Sequence, residues 1–395
     1  MQMVVLVDGA RTPFGKFGGG LKDYSSSDLA VITAKETIRK TEIDPKEIEE
    51  SIYGNVIQDN KDSAYLARHI GLRSGLSQSS SALTVNRLCG SGLESILLGA
   101  RKIASKENQL ILAGGTESMS NAPFVLKGAR WGNKYGDTIA EDRLAQSLTD
   151  CFVDLTMGMT AENISSHFKI SREDQDTWAG ISQVRAEKAS LEGSFSDEMI
   201  VVQTGGKKPV LLNRDEQIRG AECVDQLKKL PTAFLKDGTV TAGNASGIND
   251  GAASVLLSSE EFAKRSGLNP LAKILGYANV GCDPKMMGLG PVFAVPKALS
   301  NAGLKLEDID LFEINEAYAS QTLAVIRELG LDPEKTNVNG GAIAIGHPLG
   351  ASGTRVTLTL AYELKRRNLR YGVASLCIGG GQGIAIVLEN YNFKK

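Results

Sequence analysis

The side chains best suited to covalent chemistry sit in four glycine-rich segments. Cys89 lies in Asn86-Arg87-Leu88-Cys89-Gly90-Ser91-Gly92, between a strand-like run ending at Leu88 and an amphipathic helix starting near Leu93. A helix N-terminus offers free N–H groups and positive potential, so a thiol there is expected below its reference pKa of about 8.5. The same residue type is also a common small buried hydrophobe. His347 lies in Gly346-His347-Pro348-Leu349-Gly350-Ala351-Ser352-Gly353, where Pro348 fixes the backbone beside the ring. It is either a structural, hydrogen-bonded histidine or the base for a thiol nucleophile. Cys377 runs into Ile378-Gly379-Gly380-Gly381-Gln382-Gly383. Amides in such a loop can aim at an oxyanion and the thiol can exchange a proton with carbon; the alternative is a packed Cys beside a glycine turn. The glycine string fits neither a Walker A loop nor a dinucleotide fingerprint. Asn315, in Asn315-Glu316-Ala317-Tyr318, follows a strand end, where an amide can hold a water or a carbonyl or cap a helix.

Strand-length apolar runs alternate with segments of helical period, the pattern of α/β units around a largely buried sheet. Strands are predicted over Met3–Asp8, Ile52–Ile57, Val85–Leu88 and Leu110–Ala113, with a helix capped by Ser27 or Asp28 and running to about Arg39. Leu93, Ile96, Leu97, Ala100, Ile103 and Ala104 form one apolar helix face. The second half repeats this grammar: a helix near Ala294–Ala302, a strand Ile309–Ile314, a Val338-Asn339 segment leading to Ser352-Gly353, a helix to about Lys365 and a strand Val373–Cys377. Three matches argue for duplication: Pro45–Asn55 with Leu306–Glu316, Val85-Asn86…Ser91-Gly92 with Val338-Asn339…Ser352-Gly353, and Leu110–Gly115 with Ala374–Gly380. The Cys89 and His347 loops are then counterparts that meet at one cleft. Between the halves the composition turns polar, with a helix over Ser171–Leu191 carrying Trp178, Ile181, Val184 and Arg185 along one side. An insertion this long should hold structure of its own and ligand contacts.

Composition narrows the field. With 395 residues, a formal charge of −2 and 42% hydrophobic residues, the chain reads as two or three globular domains. The near-neutral charge offers no global field for nucleic acid, and no apolar run is long enough to cross a bilayer. Five cysteines without CxxC spacing read as reduced thiols, and three scattered histidines give a metal site no support. The first residues show no leader pattern, so the protein is expected to be cytoplasmic.

Taken together, the four motifs resemble the thiolase family over essentially the whole chain, in the family's order. Thr241-Ala242-Gly243-Asn244-Ala245-Ser246-Gly247 and Met287-Gly288-Leu289-Gly290-Pro291 are similar to two further family segments. The resemblance implies an α/β thiolase fold: two similar α/β halves in a five-layer αβαβα arrangement, with an inserted loop domain that holds coenzyme A. It places the first half at 1–118 plus 250–268, the loop domain at 119–249 and the second half at 269–395. It implies that Cys89 takes the acyl group, that His347 activates it and that Cys377 is the acid/base at the α-carbon. One oxyanion hole would comprise His347 with Asn315 and a water, the other the amides of Cys89 and Gly379. Arg219 and Ser246 match positions that contact coenzyme A; Met157, Phe234 and Met287 match pocket positions. Two departures stand in that pocket: Thr156 where short-chain members commonly have His, and Tyr318 where Phe is usual. The reaction expected from the resemblance is reversible Claisen condensation of two acetyl-CoA to acetoacetyl-CoA and CoA, with a broader 3-ketoacyl-CoA thiolase as the alternative. A ketoacyl synthase or a non-catalytic acyl-CoA binder fits less well. Coenzyme A thioesters would be substrates, no separate cofactor is implied, and a homo-oligomer, tetramer or dimer, is expected.

Overall fold

The computed structural model describes residues 2–205 and 208–394. The chain opens with β1 (Val4–Arg11), whose Val4-Val5-Leu6-Val7 run is buried throughout, as in a strand covered by helices on both faces. There follow α1 (Ser26–Thr41), β2 (Glu50–Gly54), α2 (Leu66–Arg73), β3 (Ser81–Val85), α3 (Ser91–Ala104) and β4 (Leu110–Ser118). The insertion contributes α4 (Met157–Phe168) and α5 (Arg172–Leu191), after which β5 (Asn249–Ser259) returns to pair with β4. The rest comprises β6 (Ala272–Gly281), α6 (Gly290–Ala302), β7 (Leu311–Ile314), α7 (Ala319–Leu329), α8 (Leu349–Arg367), β8 (Tyr371–Ile378) and β9 (Gln382–Asn390).

The sheet order is β3-β2-β4-β5-β1 in the first half and β7-β8-β9-β6 in the second. In one half β2 and β4 are parallel while β4, β5 and β1 alternate in direction; in the other β7 and β8 are parallel while β8, β9 and β6 alternate. A parallel bridge from Phe312 to Thr336 stands where β3 stands in the first half. Strand order and direction are thus reproduced together, which is the duplication the short sequence matches predict. The halves join edge to edge between β1 and β6 through the pairs Val5–Lys273 and Leu6–Ala272.

Five layers result. Leu29, Ala30, Leu66 and Ile70 seat α1 and α2 on the outer face of the first sheet, and Ala294, Val295, Leu299 and Val325 seat α6 and α7 on that of the second. Between the sheets, α3 and α8 share a core with Leu93, Ile96, Leu97, Val356 and Leu360 fully or almost fully buried. Each such side chain contributes roughly 1.5–3 kcal/mol by leaving water, so the middle layer is well anchored.

Local detail departs from the sequence expectation at four places. Ser25, rather than Ser27 or Asp28, caps α1: its Oγ accepts the Asp28 N–H at 3.2 Å, which leaves Asp28 as the first-turn acid facing the helix dipole. The strand expected over Ile52–Ile57 stops at Gly54 because the Val56 and Ile57 N–H groups turn to the Glu117 carboxylate. The strand expected over Val85–Leu88 lies earlier, since Leu88 has φ 47° and cannot continue a ladder. On α5, Ile181 and Val184 face outward, while Gln175, Trp178, Ser182 and Gln183 are buried because this face meets polar groups such as Glu316.

Candidate active site

Cys89 stands between β3 and α3 in a loop closed by its own hydrogen bonds. Ser91 Oγ accepts from Arg87 N–H at 2.8 Å and donates to Leu88 O at 2.6 Å, and Gly90 N–H reaches Arg87 O at 3.0 Å. The thiol is half-buried, and the Gly379 backbone amide of the other half lies near enough to favour its charged form. Enclosure by protein pushes it up to about 11, outweighing the amides that favour the thiolate. The expectation of a thiolate created by the helix N-terminus is therefore corrected: the resting group is a thiol. Beside it α3 and α8 start in backbone contact. A Cβ on Gly92 would lie 2.5 Å from Gly350 O, and one on Gly353 would lie 2.2 Å from Leu93 N, so this crossing requires glycine.

His347 precedes α8 and is buried. Its Nδ1 lies 2.6 Å from Ser352 Oγ and its Nε2 lies 3.3 Å from Asn315 Nδ2. Ser352 donates its only hydrogen to Pro348 O at 2.9 Å, so it accepts from Nδ1–H. The network thereby assigns the ring proton to Nδ1 and leaves the Nε2 lone pair toward Asn315. Burial, reinforced by the Arg355 charge, holds the imidazole down at about 3, so it is a neutral acceptor at pH 7. The backbone of His347 is pinned by donation to Asn249 Oδ1 at 2.9 Å.

Cys377 lies opposite Gly383 near the end of β8, buried among Met157, Met287 and Ala317. Burial, with Cys89 and Cys282 nearby, raises this thiol well above the ordinary range. The Asn315 N–H reaches Ser375 O at 2.9 Å, and its buried Oδ1 has no partner among the described residues.

A cavity of about 610 Å³ opens onto Cys89, His347 and Cys377 together. Met157, Met287, Phe234 and Tyr318 line it, with Arg219 and Ser246. Asn315 and Gly379 adjoin the groups that line it, Asn315 at His347 and Gly379 at Cys89. Phe234 lies against Gly158 and meets Tyr318 edge-on, with ring centroids 6.2 Å apart. The Ser246 segment is stitched to the Asn315 segment by Ser246 N–H to Ala317 O at 3.0 Å and Ala319 N–H to Asn244 O at 2.9 Å. Arg219 is anchored by its N–H to Gln183 Oε1 at 2.7 Å. Each thiol has its own apolar wall: Met119, Leu148, Ile248 and Leu349 beside Cys89, and Met157, Met287, Ala317 and Tyr318 beside Cys377. Thr156 lines the cavity and also caps α4, accepting from Met159 N–H at 3.3 Å.

Sequence reasoning missed several residues here. Glu117, fully buried, receives the N–H groups of Val56, Ile57 and Gly350 and the Asn55 amide, and burial raises it to about 8. It ties the end of β4 to the start of α8; its place after Gly114-Gly115 at a strand end was the available signal. Ser352 could have been found from its match to Ser91. Lys16 and Phe17, also on the cavity, carry no motif.

Two thiols, a neutral imidazole and converging amides can pass an acyl group from one thiol to another, and fold and site together define an enzyme of the acyltransferase class. Residues 4–261 match the thiolase N-terminal domain and residues 268–390 the thiolase C-terminal domain. The chain belongs to the thiolase family. It is 50% identical over 389 residues to the mitochondrial 3-ketoacyl-CoA thiolase of Mus musculus, covering 98% of each chain. It is 47% identical to a probable acetyl-CoA acyltransferase of Staphylococcus aureus (strain COL), covering 99% of this chain and all of that one. Among solved structures, human mitochondrial 3-ketoacyl-CoA thiolase in complex with CoA superposes with a TM-score of 0.96 at 50% identity, covering 98% of both chains.

Proposed function

We propose that the protein is a 3-ketoacyl-CoA thiolase that accepts chains longer than four carbons, cleaving them with CoA to acetyl-CoA and a shortened acyl-CoA. The observation that carries the reaction is the opening of Cys89, His347 and Cys377 into one cavity. The range is supported by the similarity to the mouse enzyme and by the apolar wall of Met119, Leu148, Ile248 and Leu349 beside Cys89. These weigh against two acetyl-CoA as the preferred reactants, which the motifs alone favour.

In thiolysis Cys89 passes its proton to His347 Nε2 as Sγ bonds to the 3-keto carbon, and the new oxyanion meets the N–H groups of Cys89 and Gly379. Collapse breaks the bond between the α- and β-carbons. The electron pair becomes the enolate of acetyl-CoA, whose oxygen is met by His347 Nε2–H and by a water on Asn315 Oδ1. Cys377 gives its proton to the α-carbon and takes another from incoming CoA, whose sulfur attacks acyl-Cys89; the Cys89 sulfur leaves and recovers its proton from His347. Arg219 supplies charge for the nucleotide phosphates of CoA and Ser246 a hydroxyl for pantetheine. The reaction so written uses CoA as a substrate and no other group.

Steady-state thiolysis of 3-ketoacyl-CoA from four to ten carbons tests the reading. We expect kcat/KM to be held or to rise beyond four carbons, an added methylene being worth at most about 1–3 kcal/mol. Activity confined to acetoacetyl-CoA would restore the short-chain reading.

A further inference from the structure

The two amides assigned to the first oxyanion come from different halves of the molecule, and one of them, Gly379, lies in a turn with little stiffness of its own. Gly380 and Gly381 follow it with φ 79° and 75°, conformations that glycine adopts freely and that fix nothing by themselves. Gln382 closes this turn, paired with Ile378 across the β8–β9 hairpin. Its Oε1 accepts from Arg87 Nη1 at 3.0 Å, and Arg87 belongs to the closed loop that carries Cys89. On its other side the guanidinium Nε lies 3.0 Å from Glu94 Oε2 on α3. Glu94, nearly buried, is held in turn by Arg101 at 2.9 Å and by the Asn279 amide of β6 at 2.7 Å. The guanidinium is therefore a cross-tie with one end on a fixed carboxylate and the other on the glycine turn. Apolar contacts run alongside it: Ile378 lies against Gly90, and Leu88 against Gly379.

We propose that Arg87 is a positioning residue for the reaction: hydrogen-bonded to Gln382 and ion-paired with Glu94, it sets the separation of the Cys89 and Gly379 amides that receive the oxyanion. The inference rests on the thiolase reaction proposed above. Oxyanion donors act only when held about 2.7–3.1 Å from the developing charge, and displacement by about 1 Å can cost roughly a hundredfold in rate. A charge-assisted hydrogen bond is roughly twice as strong as a neutral one, which suits it to restrain a glycine turn.

The test is a double-mutant cycle on the full chain: Arg87→Met, Gln382→Met and both together. Rapid-quench acylation of Cys89 by a 3-ketoacyl-CoA is read beside steady-state KM. Each single variant should slow acylation by roughly ten- to a hundredfold with KM changed less than about threefold, and the double should be no slower than the slower single, since both delete one contact. Arg87→Lys, able to reach one partner but not both, should fall between. Alkylation of Cys89 by iodoacetamide needs no oxyanion hole and should change several-fold less than acylation does. Losses that multiply in the double variant, an unchanged acylation rate in Arg87→Met, or alkylation falling in step with acylation would each overturn the proposal. A parent protein that forms no acyl-Cys89 would instead overturn the reaction on which it rests.

Discussion

The junctions that lead into α3 and α8 are built on one plan and are equipped for opposite chemistry. Ser91 and Ser352 hold equivalent places, and each hydroxyl donates to a carbonyl just before it, Leu88 O or Pro348 O. What each accepts differs: a backbone N–H from Arg87 in the first half, a ring N–H from His347 in the second. The cause is length. Asn86 and Ser91 are five positions apart, Asn339 and Ser352 thirteen, and the longer loop has room for the short helix Ala342–Ile345 before it swings a whole side chain to the serine. One anchor thus fixes the backbone beside a nucleophile in one copy and the tautomer of a base in the other.

The sharpest way to break this comparison is to remove the nucleophile. Cys89→Ala should lower turnover by at least about 10⁴-fold, and peptide mass spectrometry of the parent treated with acyl-CoA should find the acyl group on Cys89. An acyl group on Cys377 instead would reverse the roles of the two thiols. Next in size is the paired removal of the anchors. Ser352→Ala leaves Nδ1–H without its acceptor and frees the ring to change tautomer, so acylation should fall by roughly ten- to a hundredfold with KM little changed. Ser91→Ala loosens only backbone and should act mainly on thermal stability, by about 1 kcal/mol. Equal kinetic losses in both variants would show that the serines share one structural role. The smallest effect is the slope of a pH profile. With the Cys89 thiol raised to about 11 and His347 held down at about 3, the resting pair is neutral. Thiolate, and with it alkylation by iodoacetamide, should then grow about tenfold per pH unit through pH 9. A plateau below pH 8 would mean that Cys89 and His347 rest as an ion pair.

The chemistry was more legible in the sequence than its electrical state. Cys89, His347, Cys377 and Asn315 stand out because each needs glycines, a proline or a strand end around it, and such needs are written locally. The protonation of Cys89 is not, because the enclosure that raises it comes from residues far off in the chain, such as Met119 and Leu349. The long strands β5, β6 and β9 were likewise not picked out. The stretch Asp250-Gly251-Ala252-Ala253-Ser254 has neither alternation nor β-branched residues. It is a strand because α1 and the sheet neighbours come close enough that small residues fit: a Cβ on Gly251 would meet the Phe14 ring at 2.3 Å. Glu117 escaped notice for the same reason, its partners at Val56 and Gly350 being brought together only by the fold.

The seam between β1 and β6, two residue pairs wide, bears on how the molecule carries load. So narrow a border cannot fix the angle between two sheets; that task falls to α3 and α8, which cross with no side chain between Gly92 and Gly350. The sheets are in effect hung from a central strut, and the strut ends at the two reacting groups. A force that tilts one half against the other works directly against this backbone-to-backbone joint, so the distance between nucleophile and base is braced by it.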